Sequence, residues 1–188
     1  MALAEPFEIA RGVQTESENV VVELTHEGET GVGAAAPSTH YGETAATVEA
    51  VLPRLFDVLP GDPHDIDAAH AAMDRAVRDN PAAKAAVDIA MHDLAAKRHD
   101  LPLYRHLGLD PSSTPTSSFT VGLASTAEMA RKAEAASDAG HDVLKLKLGT
   151  DRDREIVETL REAAPDVRLR VDANEAWTPK QAVRLCRE

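Results

Sequence analysis

The stretch Val143-Leu144-Lys145-Leu146-Lys147-Leu148 decides how this chain is read. Side chains alternate along a strand, so Leu144, Leu146 and Leu148 share one face and Lys145 and Lys147 share the other. The leucines call for a cover of helices. If the strand lies at a sheet edge, the lysines stand in solvent. If it lies in a parallel sheet, two ammonium groups sit side by side near the C-terminal end of a strand, where such folds keep their active sites. Each cation disfavours the charge of the other, and partial desolvation acts in the same direction. The pair is therefore a device for making one lysine a usable base near neutral pH.

The flanking pattern favours the parallel sheet. Ser118–Gly122 reads as a strand, Ser125-Thr126-Ala127-Glu128 as a capping box opening a helix to about Ala139, and Gly140 as its stop. After the lysine strand comes a helix over Asp151–Ala163 with Ile156, Val157 and Leu160 inward, then a strand over Val167–Asp172, and Thr178-Pro179 opens a further helix. Strands recurring at intervals of about two dozen residues argue for right-handed crossovers, in a doubly wound sheet or a (β/α)8 barrel. In Arg168-Leu169-Arg170-Val171-Asp172-Ala173-Asn174, the same alternation puts Arg170, Asp172 and Asn174 on one face. Beside two lysines, the Asp172 carboxylate is either an oxygen ligand for Mg²⁺ or their counter-ion. One carboxylate does not make a metal site, and Glu175 in the following loop reads as a capping or solvated residue.

Upstream, Asp110–Ser117 has the composition of a linker and marks a boundary. Before it the rhythm differs. Val20–Leu24, a turn at His26–Gly28 and the small-residue run Gly31–Ala36 read as a hairpin. Helices follow over about Glu43–Leu59, with Pro53 perturbing its middle, and over Asp65–Arg78. Asn80-Pro81 then opens a third helix as N-cap and first-turn residue. In that helix Ala83, Ala86, Val87, Ala90, Met91 and Leu94 fall at helical spacing, which predicts a small-faced core element.

Composition sets outer limits. The chain has 188 residues and is 43% hydrophobic, enough for an ordinary core. Its net charge of −12, from 20 Lys and Arg against 32 Asp and Glu, opposes binding to a nucleic-acid backbone. A salt-adapted habitat (a halophilic source) or a GC-rich genome would each produce this acidic, lysine-poor surface. The N-terminus Met1-Ala2-Leu3-Ala4-Glu5-Pro6 lacks the features of a signal peptide, and apolar runs are short, so a cytoplasmic chain without membrane contact is expected. The single cysteine, Cys186, excludes an internal disulfide and reads as a small buried helix residue. His92, His99 and His106 recur every seven residues, but Pro102 puts the third on another element, so surface or capping roles are expected. Nothing supports a hydrolase triad around Ser117 and Ser118, or a phosphate loop at Gly31–Gly33.

Four segments together carry a family resemblance. They are Asn80-Pro81-Ala82-Ala83-Lys84-Ala85-Ala86-Val87-Asp88-Ile89-Ala90 to Asp93, Leu101-Pro102-Leu103-Tyr104 to Leu107-Gly108, Leu144-Lys145-Leu146-Lys147-Leu148-Gly149, and Val171-Asp172-Ala173-Asn174-Glu175-Ala176-Trp177. In this order and at these intervals the chain resembles the enolase superfamily, within it the muconate lactonizing enzyme subgroup, and most closely the dipeptide epimerases acting on L-Ala-D/L-Glu. The resemblance implies an α/β fold: an α+β capping domain at residues 1–114, then the first part of a modified (β/α)8 barrel at residues 115–188.

The resemblance also implies a Mg²⁺-assisted 1,1-proton transfer through a metal-stabilised enediolate, the lysine-base and magnesium chemistry characteristic of that superfamily. Lys147 would be the acid/base. Lys145 would lower its pKa and contact the substrate carboxylate, and Asp172 would be the first metal ligand. Thr120 and Asn174 match pocket positions, the polar stretch Phe7–Thr15 matches a mobile specificity loop, and Arg11 in it is a candidate for a substrate carboxylate. The partners implied are a dipeptide or amino-acid derivative and further copies of the chain.

A complete barrel takes roughly 250 residues. The stretch after Thr116 has room for only three strand–helix units, without the carboxylates and second lysine that the family carries on later strands. The chain therefore resembles an N-terminal half, expected to be weakly active or inactive alone. The competing expectations are a non-catalytic half-barrel module for assembly or interaction, and a cycloisomerase or N-acylamino acid racemase of the same superfamily.

Overall fold

The computed structural model describes residues 1–187 and divides into two compact units. One comprises Met1 and residues 17–114; the other comprises residues 2–16 and, of those described, the residues from Pro115 on. The chain begins with an antiparallel hairpin, β1 (Ala2–Ile9) and β2 (Gly12–Glu16), turning at Ala10-Arg11. The polar specificity-loop stretch is thus a hairpin. Every residue of β2 is exposed, so it lacks the apolar alternation that announces a strand.

The first unit is built on a second hairpin, β3 (Val20–His26) and β4 (Glu29–Ala35). Its two-residue turn, Glu27-Gly28, has positive φ at both positions, the twist that matches paired strands. Three helices follow: α1 (Ala45–Phe56), α2 (Ile66–Ala76) and α3 (Pro81–Arg98). Helix α1 runs through Pro53 at the cost of one hydrogen bond. The predicted α3 stripe is buried throughout, from Ala83 to Leu94. Its alanines let β4 lie against the helix backbone: a Cβ on Gly33 would collide with the Ala86 carbonyl, and one on Gly31 with that of Ala90. Asp93 and Lys97 of α3 fasten the same strand, accepting from the Val32 N–H at 2.9 Å and donating to the Thr30 carbonyl at 2.8 Å.

Asn80 stands at the N-cap of α3 but its side chain does not cap the helix. The buried carboxylate of Glu43 does so instead, accepting from the Ala82 N–H at 3.1 Å. A short helix α4 (Leu103–His106) follows. His99 at the α3 C-cap stacks on His64 (ring centroids 4.6 Å apart) and lies 5.5 Å from His106. Burial, then the neighbouring His99, His92 and His64, hold His106 below the ordinary histidine pKa.

In the second unit, β5 (Phe119–Val121), β6 (Val143–Lys147) and β7 (Arg168–Asp172) form a parallel sheet in that order. Helices α5 (Thr126–Asp138) and α6 (Asp153–Ala163) make the crossovers, and α7 (Pro179–Leu185) follows β7. Leu144, Leu146 and Leu148 are buried with Met129, Ile156 and Leu160 of the helices, as the alternation requires. Ser125 caps α5 through the Glu128 N–H, but the Glu128 carboxylate pairs with Arg131 rather than completing a capping box. Cys186 is exposed at the C-cap of α7, contrary to its sequence reading. No residue of α7 is buried, so the thiol has no core to join. Among the described residues, no helix is long and apolar enough to cross a membrane.

Candidate active site

Register places the chemistry. Thr120 on β5 is level with Lys145 on β6, and Lys147 on β6 is level with Asp172 on β7. Because the leucines take the helix side, both lysines rise from the opposite face and converge on one carboxylate. Each Nζ lies 2.8 Å from Oδ2 of Asp172. Lys147 also donates to Oδ1 of Asn174 at 2.9 Å, and the Asn174 N–H donates to Oδ1 of Asp172 at 2.9 Å. Hydrogen bonds from Lys145, then Lys147, then the Asn174 amide hold the Asp172 carboxyl well below the usual carboxylate range.

The two lysines differ in access. The Lys147 side chain is 9% exposed and that of Lys145 38%. One ammonium is sheltered among polar partners, while its neighbour is open to a ligand.

Beyond β7 the chain makes a tight turn, closed by the Ala176 N–H donating to the Ala173 carbonyl at 3.0 Å. Its central residues, Asn174 (φ 47°) and Glu175 (φ 68°), are both left-handed. For residues with a Cβ this costs about 1 kcal/mol or more each, so the turn persists only where its surroundings hold it. Gly149, after β6, packs directly on that turn at φ 109°. A Cβ there would come within 2.6 Å of Ala176 Cβ, 2.8 Å of Ala10 Cβ and 3.0 Å of the Ala173 carbonyl. Ala10 belongs to the β1–β2 turn, whose next residue, Arg11, lies 3.5 Å from Oε1 of Glu175. Lys145, Lys147, Asp172 and Asn174 thus form one hydrogen-bonded group. Thr120 stands beside it in register, and Arg11 is engaged at Glu175.

Sequence reading passed over Asp153. Its 5%-exposed carboxylate accepts from the Gly149 and Thr150 amides, from the Thr150 hydroxyl and from the Trp177 indole. Asp153 opens α6, and an acidic residue in a helix's first turn is the one signal that singles it out.

As a cation site, the cluster offers the Asp172 carboxylate, a donor of the hard-oxygen type that Mg²⁺ prefers. Among the described residues, no group of three or more His, Cys, Asp or Glu side chains is placed to hold a metal ion. Asp172 therefore fits as one corner of such a site, and the three histidines do not form another.

Comparison with known proteins finds matches to both parts of the chain. The family model described as "Mandelate racemase / muconate lactonizing enzyme, N-terminal domain" matches residues 1–108, and "Enolase C-terminal domain-like" matches residues 128–188. The chain is 40% identical to the hydrophobic dipeptide epimerase of Enterococcus faecalis, over 97% of this chain and 53% of that protein. It is 35% identical to the L-Ala-D/L-Glu epimerase of Bacteroides thetaiotaomicron, over 96% and 47%. A crystal structure of the Enterococcus faecalis dipeptide epimerase, complexed with Mg and L-Leu-L-Tyr, superposes with a TM-score of 0.91 at 37% identity. That match covers 99% of this chain and 54% of the other. The chain spans about half the length of the curated relatives it matches.

Proposed function

Since the chain belongs to the mandelate racemase / muconate lactonizing enzyme family, we propose that its lysine–aspartate cluster serves a dipeptide epimerase, with Lys147 moving the α-proton. The observation that carries this reading is the convergence of both lysines on Asp172, with Lys147 held a second time by Asn174. The relatives named above, dipeptide epimerases over almost the whole of this chain, support the substrate class.

In this reading the neutral Lys147 amine takes the proton from the substrate α-carbon, and the C–H bonding pair stays on the substrate. Return of a proton to the opposite face gives the epimer. Asp172 and Asn174 fix the Nζ of Lys147 at a set height above the strand end, so that proton transfer occurs from a held position. Lys145, the more exposed ammonium, faces the substrate carboxylate, and Thr120 lines the same wall. Arg11 meets a second carboxylate on the substrate. Asp172 would hold Mg²⁺ at one corner, and when bound the ion supplies positive charge that favours proton loss next to a carboxylate. The family resemblance assigns the remaining ligands, and the lysine that attends the opposite face, to later barrel strands.

The test is solvent-deuterium incorporation at the α-carbons of L-Ala-L-Glu and L-Leu-L-Tyr in D₂O with Mg²⁺. Label at one α-carbon of either dipeptide supports the reading. Absence of label from every dipeptide, in a preparation that epimerises or cyclises another carboxylic acid, rejects it.

A further inference from the structure

Asp153 presents a physical question, because burying a carboxylate is costly unless every acceptor position is used. Its partners answer it. Both oxygens are occupied, by three donors from the loop after β6 and by the Trp177 indole from the loop after β7, at 2.7 Å. None of these partners is a cation, so among the described residues no ion pair accounts for the charge. What the carboxylate achieves is a junction between two loops. The loop after β6 follows Lys147, and the loop after β7 contains the left-handed turn that carries Asn174. Arg152, the preceding residue, reaches the other way. It donates to Thr126 Oγ1 at 2.9 Å and to the Ala124 carbonyl at 3.1 Å, tying in the loop after β5.

We propose that Asp153 is a positioning residue for Lys147: by holding Trp177 it fixes the Ala173–Ala176 turn, which delivers Oδ1 of Asn174 to the Lys147 ammonium. Two contacts meet on that turn, Asp153 through Trp177 and the bare Cα of Gly149 against Ala173 and Ala176. Removing the indole–carboxylate bond frees one end of a turn whose backbone disfavours its own conformation. Asn174 then swings away, and Lys147 loses one of its two partners. The inference gains its catalytic meaning from the reading of Lys147 as the proton carrier, but its geometry does not depend on turnover.

Its test is therefore a protection measurement on this chain. Brief reductive methylation followed by peptide mass spectrometry gives the labelling of Lys147 relative to Lys97, which lies in the other unit and has a 42% exposed side chain. The wild-type ratio is low, because Lys147 is sheltered and doubly bonded. In Asp153→Asn and in Trp177→Phe the ratio rises about threefold or more, the effect of losing one such hydrogen bond. Trp177→Phe keeps an aromatic ring against the core and removes the donor, so it remains informative if Asp153→Asn does not fold. Arg152→Gln, a lesion of similar size directed at the loop after β5, leaves the ratio unchanged. Trp177 is the only tryptophan, so its single indole N–H resonance reports whether the bond has been broken in Asp153→Asn.

An unchanged Lys147 ratio in folded Trp177→Phe overturns the proposal, as does an equal rise in Arg152→Gln. Either result leaves the epimerase reading intact. Conversely, a raised ratio, together with absence of α-proton exchange from every dipeptide in a completed barrel that acts on another carboxylic acid, would reject that reading and leave the positioning role standing.

Discussion

Lys147 on β6 and Asp172 on β7 occupy facing register positions, and their side chains meet at 2.8 Å. Lys145 reaches the same oxygen from one pleat repeat earlier. Three charged groups thus share a few ångströms at the strand ends, and the central one is the only anion in the hydrogen-bonded group.

Replacing that anion isolates two cations. Asp172→Asn leaves Lys145 and Lys147 facing each other without a counter-charge, and the protein loses about 1–3 kcal/mol. Lys145→Met costs less, because its ammonium is the more exposed of the two. Urea unfolding of the two variants beside the wild type checks the order, which reverses if Lys145 rather than Asp172 anchors the cluster.

Gly149→Ala is expected to be severe. The residue sits at φ 109°, and its new methyl would have to displace Ala176, Ala10 or the Ala173 carbonyl. A loss of about 2 kcal/mol or more follows, from strain and overpacking together. Thermal unfolding of Gly149→Ala reads it, and a midpoint within a degree of wild type would mean that the three loops do not meet as described.

Acid should weaken the first unit through its histidines. His106 is held below its ordinary pKa by burial and by the facing His99, His92 and His64. The unfolded chain therefore takes up the proton first as pH falls. Stability from this group is complete above the unfolded value near 6.5 and is lost as pH drops from there through the lower folded value. Asp62 beside His64 and Asp88 beside His92 are the carboxylates paired within the group, and they offset part of the effect. Urea midpoints from pH 7.5 to 5 should fall more steeply for wild type than for His106→Gln, and parallel curves would remove the explanation.

Arg11 carries a prediction about selectivity. If it exchanges Glu175 for a carboxylate on the substrate, Arg11→Met lowers kcat/KM about tenfold for dipeptides with an acidic second residue. It changes L-Leu-L-Tyr little. Equal losses on both substrates would assign Arg11 to the hairpin's own structure instead.

Much of this was legible in local sequence. The alternation of Val143–Leu148 fixes which side of the sheet holds the lysines, and the alanine stripe of α3 fixes the face that receives β4, because both patterns repeat within a few residues. What was not legible depends on partners far along the chain. Glu43 caps α3 from 39 positions away, and Asp153 finds Trp177 24 positions on. Neither partnership is visible in the residues beside it. The β1–β2 hairpin gave no apolar rhythm, because β2 buries none of its side chains. Gly149 stood in the quoted motif, but its positive φ and the groups crowding it become visible only when three loops are seen together.

The most direct test fuses residues 1–188 to the remaining barrel half of the Enterococcus faecalis dipeptide epimerase and measures α-deuteration of L-Ala-L-Glu and L-Leu-L-Tyr in D₂O with Mg²⁺, with Lys147 intact and as Lys147→Ala. Deuterium entering at an α-carbon with Lys147, and at least about a hundredfold less without it in an equally folded chimera, is the predicted result. Undiminished exchange in folded Lys147→Ala would contradict the assignment of Lys147 as the group that moves the proton.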